Sequence, residues 1–209
     1  MAMRSESESP GQKGRTFIEE ARRRQIIEAA VEVIAEQGYL KASLAKIAER
    51  AGISKGVISY HFDGKDDLLH QLVIQLYIAG GEFMAPRIDA AEGAWPKLRA
   101  YLESNFEFIG QHRTYLRVFV DVIGNLRDQD GMLHFRDMQE NADVLDPLVE
   151  LLEEGQQTGE FAEFDVRMTA MFIRDTIDGL AGRVSRTEDF DMERYSRAAV
   201  EATARMVCR

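Results

Sequence analysis

The segment that decides the fold is SLAKIAERAGISKGVISYHF, which covers residues 43–62. Four of its apolar residues recur at the spacing of one helical face, namely Leu44, Ile47, Ala48 and Ala51. Gly52 follows this face directly, at the position where a helix that ends in the left-handed region favours glycine. Ser54 then stands where a second helix needs an N-cap, because its hydroxyl oxygen can accept a backbone N–H. The segment predicts a helix-turn-helix, whose second helix enters the major groove of DNA.

The second helix of this segment is expected to expose small and polar side chains, which suit a groove and its phosphates. These residues are Lys55, Gly56, Ser59, Tyr60 and His61. Val57 or Ile58 would anchor the helix to the core, and Phe62 is expected in that core. The alternative interpretation is a structural helical hairpin with no role in DNA binding.

The length of 209 residues allows one large helical domain, or a small domain followed by a larger one. Four prolines and abundant helix-forming residues favour helices. No run of about 18 apolar residues occurs, so no membrane span is expected. The first residues lack the apolar core of a signal peptide, and the single cysteine, Cys208, cannot form an internal disulfide. We therefore predict a cytoplasmic protein.

The net charge of −10 is unusual for a protein that binds DNA, but it is unevenly distributed. Residues 1–70 contain 11 basic and 11 acidic residues, whereas residues 71–209 contain 15 and 25. The neutral N-terminal part can still present a basic face if its lysines and arginines gather on one side. An acidic C-terminal part would repel DNA and help to orient the N-terminal part on it.

Helical periodicity continues along the rest of the chain, and no stretch alternates as a strand does. After an arm at residues 1–15, which we expect to be disordered, the first helix is expected at residues 17–37. Helix 4 is expected to start near Lys65 and to break at Gly80-Gly81 or at Pro86. Later helices are predicted at residues 95–109, 113–126, 133–154 with an interruption near Asp146-Pro147, 166–183 behind an Asp165 N-cap, and 189–207. The predicted fold is all-α, with about nine helices.

The order of motifs from Arg22 to Leu72 resembles the N-terminal part of the tetracycline-repressor (TetR) family of bacterial transcription factors. An amphipathic helix, Gly-Tyr, a Ser-initiated short helix, AGISKG, an aromatic-His-Phe and GKDDLL follow one another in the family's order. The stretch LLEEGQQTGEFAEFDVRMTAMFIRDTIDGLAGR resembles the family's C-terminal part more loosely. The resemblance implies a helix-turn-helix DNA-binding domain at residues 16–64. It also implies a helical effector-binding and dimerisation domain at residues 65–209, with helix 4 as the connector.

The resemblance also assigns roles to single positions. Ser43 corresponds to a helix cap that often touches a phosphate, and Lys65 stands at the start of helix 4, where a phosphate can be held. Ser59 departs from the family, which commonly has Tyr there, so Tyr60 is expected to take part of that aromatic contact. The predicted DNA-binding residues are Ser43, Ser54, Lys55, Gly56, Val57, Ser59, Tyr60, His61 and Lys65.

The last two helices are expected to pair two subunits in a four-helix bundle. The candidate contacts are Phe172, Ile173, Thr176, Ile177, Leu180, Ala198, Ala199 and Ala202. In such a homodimer the two recognition helices would enter successive major grooves of a pseudo-palindromic operator, about 34–36 Å apart.

A small-molecule effector is expected in the C-terminal domain, because aromatic residues with a few polar groups are typical of a ligand cavity. The candidates are Trp95, Phe106, His112, Tyr115, Phe119, Asn125, His134, Met138, Phe172 and Asp175. Aromatic residues at helical spacing also form ordinary cores, which is the alternative for each of them. The ligand would tilt helix 4 and change the separation of the two DNA-binding domains.

No catalytic motif, metal-ligand spacing or cofactor fingerprint occurs in the sequence. The four histidines, His61, His70, His112 and His134, are scattered along the chain. We therefore interpret the chain as a ligand-responsive transcriptional regulator, namely a repressor that a small molecule releases from its operator. A small-molecule-binding helical protein without operator binding and a helical enzyme remain as the alternatives.

Overall fold

The computed structural model describes residues 10–135, 142–187 and 189–208. In these residues the chain forms nine α-helices, one short 3₁₀-helix and no strand, which confirms the predicted all-α fold. The helices are α1 Pro10–Gln37, the 3₁₀-helix Tyr39–Lys41, α2 Leu44–Arg50, α3 Lys55–His61, α4 Gly64–Asp89, α5 Ala94–Gln111, α6 Arg113–Asn125, α7 Ala142–Gln157, α8 Val166–Val184 and α9 Met192–Val207. The chain divides into two compact units, Met1–Leu72 and Val73–Arg209.

The N-terminal unit is built on the contact of α1 with α2 and α3. Its core is made of aliphatic side chains that are almost completely buried, among them Ile26, Ile27, Ile34, Ile47 and Ile58. Gly38 and Gly52 follow α1 and α2 with φ angles of 80° and 66°, so both turns use the left-handed region that glycine adopts without strain.

Helix α1 begins at Pro10, earlier than the predicted Phe17. Proline suits the first helical position because the N–H that it lacks would have no partner there. Residues 10–15 of the predicted disordered arm are therefore helical, and residues 1–9 lie outside the described part of the chain.

Helix α4 runs without interruption from Gly64 to Asp89, so the predicted break at Gly80-Gly81 or Pro86 is wrong. Gly80 is buried, and a Cβ placed on it would lie 3.6 Å from the ring of Phe108. This distance is an ordinary van der Waals contact, so the helix carries a buried glycine here although the packing would accept a methyl group. The division between the two units falls inside α4, after Leu72, rather than at residue 65.

The C-terminal unit packs α5 against α7, α8 and α9, and α8 also against α6 and α7. The prediction of a helix from Leu133 is wrong, because residues 126–135 form a loop closed by a bridge between Arg127 and Leu133. The Asp128 carboxylate stabilises this loop by accepting hydrogen bonds from the backbone N–H groups of Asp130 and Met132. Helix α7 passes through Pro147 without the predicted interruption.

The last two helices begin at aspartate caps. The Asp165 side chain accepts the N–H of Met168 at 3.0 Å, which confirms the predicted cap of α8. Helix α9 starts at Met192 behind Asp191, three residues later than predicted. The Tyr195 hydroxyl of α9 donates to the Thr176 carbonyl of α8 at 2.9 Å and so links the two helices.

Candidate nucleic-acid interface and ligand cavity

Helix α3 presents a continuous polar face to solvent. Lys55, Gly56, Ser59 and Tyr60 are all exposed, and Tyr60 is exposed for 75% of its surface. A large aromatic side chain that remains in water on a short helix is available to a phosphate backbone or a base. The absence of a side chain at Gly56 leaves the start of this face open to close approach.

The two serines before α2 and α3 behave differently, although both stand at the N-cap. The Ser43 hydroxyl accepts the backbone N–H of Lys46 at 3.4 Å. The Ser54 side chain makes no capping hydrogen bond, which corrects the expectation from its sequence position. Its exposed hydroxyl near the start of α3 therefore remains available to a ligand such as a phosphate.

The opposite side of α3 is fixed to α1. Ile58 is completely buried, and the Arg23 guanidinium donates to the His61 carbonyl while it covers the Phe62 ring at 4.4 Å. Gln25 donates to the Ala51 carbonyl at 2.8 Å, at the end of α2. These contacts hold α3 at both its middle and its C-terminal end, so its polar face is preorganised.

Two of the predicted DNA contacts are less exposed than the sequence suggested. His61 is half-buried and packs edge-on against Tyr60, with their ring centroids 4.9 Å apart. Val57 is also half-buried, so its methyl groups divide between the core and solvent. Ile58, rather than Val57, is the anchor of the helix.

Lys65 stands at the start of α4, as predicted, but its ammonium group has partners within the protein. It donates to the Tyr39 carbonyl at 2.9 Å and lies 4.4 Å from the centroid of the Tyr39 ring. This contact ties the 3₁₀-helix to the first turn of α4. A phosphate contact from Lys65 would have to be made in addition to this one.

The C-terminal unit contains two cavities that share three lining residues, Tyr77, Met84 and Arg174. The smaller has a volume of about 70 Å³ and an apolar wall that includes Phe108 and Phe119. The larger has a volume of about 640 Å³ and lies among α4, α5, α7 and α8. Its size is in the range of sites for drug-sized molecules.

Arg174 and Asp178 form an ion pair on the inner face of α8, where the two cavities meet. Nε of Arg174 lies 3.1 Å from one carboxylate oxygen of Asp178, and Nη2 lies 2.5 Å from the other. Burial opposes the charge on Arg174, but its interactions with Tyr101 and Asp178 prevail and hold its pKa above the ordinary value. Burial also raises the pKa of Tyr77 to about 12, with Arg174 lowering it and Asp178 raising it.

The ligand residues predicted from the sequence do not line these cavities, with the exception of Phe119. Asn125, His134, Phe172 and Asp175 are exposed. Phe106 packs on Tyr195, and His112 stacks on Phe108. Trp95 and Tyr115 are half-buried outside both cavities. Met138 lies outside the described residues.

The sequence analysis missed the polar residues of the cavities, above all Arg174, Asp178, Tyr77 and Tyr101. A usable pattern was present, because Arg174, Ile177, Asp178 and Ala181 recur at the spacing of one helical face. Two opposite charges four residues apart within such an apolar stripe indicate an ion pair that faces the interior.

The predicted subunit contacts divide into two groups. Ile173, Ile177, Leu180 and Ala199 are buried inside the protomer, so they cannot be surface contacts. Phe172, Ala198 and Ala202 are exposed, and Thr176 is half-buried. Met168 and Met206, which the sequence analysis did not select, are exposed for 44% and 40% of their surfaces on the same two helices.

The described residues contain no group of three or more His, Cys, Asp or Glu side chains that could hold a metal ion. In the same part of the chain, every helix is too short or too polar to cross a membrane.

Two family models match the chain. Residues 26–72 match the model of bacterial regulatory proteins of the tetR family, and residues 91–182 match that of the tetracyclin repressor-like C-terminal domain. The fatty acid metabolism regulator protein of Bacillus subtilis is 32% identical over 184 residues, which are 85% of this chain and 91% of that protein. The regulator BetI 1 of Chromohalobacter salexigens is 36% identical over 100 residues. That alignment spans 47% of this chain and only 50% of the relative.

Solved structures agree with the family models. The regulator FadR of B. subtilis in complex with stearoyl-CoA superposes with a TM-score of 0.72 at 30% identity, over 86% of this chain and 96% of that one. FadR of Bacillus halodurans, a fatty acid degradation regulator, has a TM-score of 0.74 at 24% identity and shares the fold over 95% of this chain and 96% of its own. The chain therefore belongs to the tetR family of bacterial regulatory proteins, a family of ligand-responsive, DNA-binding regulators of transcription.

Proposed function

We propose that this chain is a cytoplasmic repressor, rather than an enzyme, which binds a two-fold-symmetric operator as a homodimer and leaves it when a small molecule binds. The observation that carries the proposal is the exposed face of α3, formed by Lys55, Gly56, Ser59 and Tyr60. Because Arg23 and Ile58 fix the helix from behind, these side chains can meet a groove without a prior rearrangement.

The exposed apolar residues of α8 and α9 support the homodimer. Phe172 is exposed for 57% of its surface, and Ala198, Ala202, Met168 and Met206 extend the same kind of surface. Large apolar side chains exposed on adjacent helices mark an interaction surface, and small residues such as alanine allow helices to approach closely. The proposed interface therefore leaves out the four predicted residues that are buried and adds Met168 and Met206.

The two cavities of the C-terminal unit support an effector with a long apolar part. The larger cavity offers about 640 Å³ beside an apolar smaller one. The B. subtilis relative has been solved with stearoyl-CoA, so a fatty acyl thioester is the class of effector that we propose for this chain. Helix α4 lines both cavities through Tyr77 and Met84 and carries Lys65 in its first turn, so it is the element through which the ligand would act.

Selection of duplex DNA from a random pool by the purified full-length protein, at several salt concentrations, tests operator binding. A pseudo-palindromic site should be enriched, and its affinity should fall steeply as salt rises. Lys55→Ala should weaken binding to that site by at least about fivefold, because a lost base or phosphate contact costs about 1–3 kcal/mol. Arg99→Ala removes one positive charge from the C-terminal unit and should leave the affinity unchanged.

The absence of an enriched sequence, or equal effects of Lys55→Ala and Arg99→Ala, would contradict operator binding through α3. Effector action is measured separately, by titrating stearoyl-CoA into the protein–operator complex with coenzyme A and stearate as controls. Release by stearoyl-CoA alone supports the proposed class. If none of the three compounds releases the protein from the operator, fatty acyl thioesters are excluded as the effector class, and the proposal of operator binding is unaffected.

A further inference from the structure

The charged groups at the junction of the two cavities, Arg174 and Asp178, form an ion pair on α8, and Tyr77 also lines both cavities. Arg174 lines both cavities, whereas Asp178 lines only the smaller one. The Arg174 side chain retains 14% of its exposure and that of Asp178 retains 27%, so both groups are largely removed from water. A polar ligand group that reaches this junction therefore meets a guanidinium whose charge is already compensated.

The hydrogen bonds of Arg174 leave one end of its guanidinium available. Nε and Nη2 donate to the two oxygens of Asp178, whereas Nη1 has no hydrogen-bond partner among the described residues. Tyr77 and Tyr101 lie close enough to interact electrostatically with Arg174, and both line the larger cavity. Arg174 and the two phenols thus supply hydrogen-bond donors to the lining of the larger cavity.

Charge decides which acceptor this arrangement prefers. A second carboxylate beside Arg174 would be repelled by Asp178 and would lose its own hydration on entering the cavity. An uncharged carbonyl oxygen can accept from Nη1 with a much smaller loss of hydration. A carboxylate placed next to Asp178 weakens binding, so the pair discriminates between ligands as well as binding them.

We propose that the Arg174–Asp178 pair recognises an uncharged carbonyl group of the effector, such as that of an ester, thioester or amide, and disfavours a free carboxylate. This inference rests on the proposed function in one respect, namely that the effector occupies these two cavities. Two hydrogen bonds fix the guanidinium against the carboxylate, so recognition of a carbonyl oxygen requires no change of protonation.

The test measures binding of two probes of equal chain length, N-methyldodecanamide and dodecanoate, to the full-length protein by calorimetry at pH 8. The wild type should bind the amide at least about tenfold more tightly than the carboxylate. Asp178→Asn leaves Arg174 uncompensated, so the difference should shrink to less than about threefold or reverse. Asp175→Asn removes the same charge from an exposed position of the same helix and should keep the wild-type selectivity.

A double variant, Arg174→Met with Asp178→Leu, keeps the proposal testable if Asp178→Asn does not fold. Replacement of a buried ion pair by apolar side chains is often tolerated, and this variant should bind the two probes with nearly equal affinity. Equal binding of both probes by the wild type, no binding of either, or unchanged selectivity in the Asp178 variants would overturn the inference. The selection of operator DNA does not use these probes, so it tests the proposed function independently of this inference.

Discussion

Ser43 and Ser54 occupy the same N-cap position before α2 and α3 but differ in their hydrogen bonds. Both precede a seven-residue helix in extended backbone geometry, yet only the Ser43 hydroxyl accepts a backbone N–H. The preference for serine at the N-cap predicted this role for Ser54, and the family resemblance implied it for Ser43. Which rotamer a serine adopts depends on its surroundings, and this information is not contained in the local pattern.

Ser43→Ala is expected to lower the free energy of unfolding by about 0.5–1 kcal/mol, because the exposed cap of α2 loses its acceptor. Ser54→Ala should have a smaller effect on stability, since no capping bond is lost. Urea unfolding of the two variants beside the wild type measures the difference. An equal loss in both variants would show that Ser54 caps α3 in solution.

Tyr77 gives a residue-scale prediction for pH. Its phenol is buried at the cavity junction, and its pKa is raised to about 12 from an ordinary value of 10. The folded state therefore holds this proton more tightly than the unfolded state. The resulting contribution to stability is complete below pH 10 and is lost as the pH rises from 10 towards 12.

Absorbance of tyrosinate, followed between pH 9 and pH 12.5 in the wild type and in Tyr77→Phe, isolates this titration. The difference between the two curves should have its midpoint near pH 12. A midpoint near pH 10 would show that Tyr77 is accessible to water and that the cavity junction is more open than described.

At the scale of single helices, the start of α5 depends on a residue far away in the chain. Gly93 precedes α5 with no side-chain cap, and the Glu160 carboxylate accepts the N–H groups of Ala94 and Trp95 at 3.1 Å and 3.2 Å. These two hydrogen bonds lower the pKa of Glu160 below its ordinary value. The loop between α7 and α8 is thereby fixed to the start of α5.

Glu160→Gln should lower the melting temperature at pH 7, because the charged acceptor of two backbone N–H groups is lost. The lowered pKa means that this contribution is present above the ordinary pKa of 4.5 and disappears as the pH falls through the folded-state value. The melting temperatures of variant and wild type should therefore converge in acid. A constant difference from pH 7 to pH 3 would contradict the role of the charge.

Most of the helices were predicted, because apolar residues recur along them at helical spacing and several follow a glycine or an aspartate, as α5 follows Gly93 and α8 follows Asp165. The sequence could not reveal the orientation of α8, which has apolar residues around most of its circumference. Ile173, Ile177 and Leu180 face the protomer's own core, whereas Met168 and Phe172 face outward. Packing against neighbouring helices determines which side of α8 faces the core. Because the sequence did not show this orientation, Asp175 rather than Arg174 was predicted in the ligand site.

Long-range packing also explains the errors at α4. Two consecutive glycines and a proline are common helix breakers, and they made a break near residue 80 or 86 a reasonable prediction. The helix is nevertheless continuous, and Gly80 is buried beside Phe108, which lies 28 positions further along the chain. Such a contact has no trace in the local sequence.

For the whole molecule, the proposed homodimer gives the clearest prediction. Phe172→Glu places a charge in the proposed interface and should shift the protein towards monomer, with a dissociation constant raised at least about tenfold. Met132→Glu is the control, because Met132 has a similar exposure but lies in the loop after α6. Sedimentation velocity over a concentration series separates the two variants. A dimer that withstands Phe172→Glu would require another interface.

Helix α8 carries the Arg174–Asp178 pair on its inner face and Phe172 on its outer face, within two turns of each other. We predict that effector binding at the pair shifts α8 and so changes subunit association; such a coupling is reciprocal, so association then changes the affinity for the effector by the same factor. The effector dose that gives half-release would then vary with the total amount of protein. The number of copies of this chain in a cell would itself set how sensitively its genes respond.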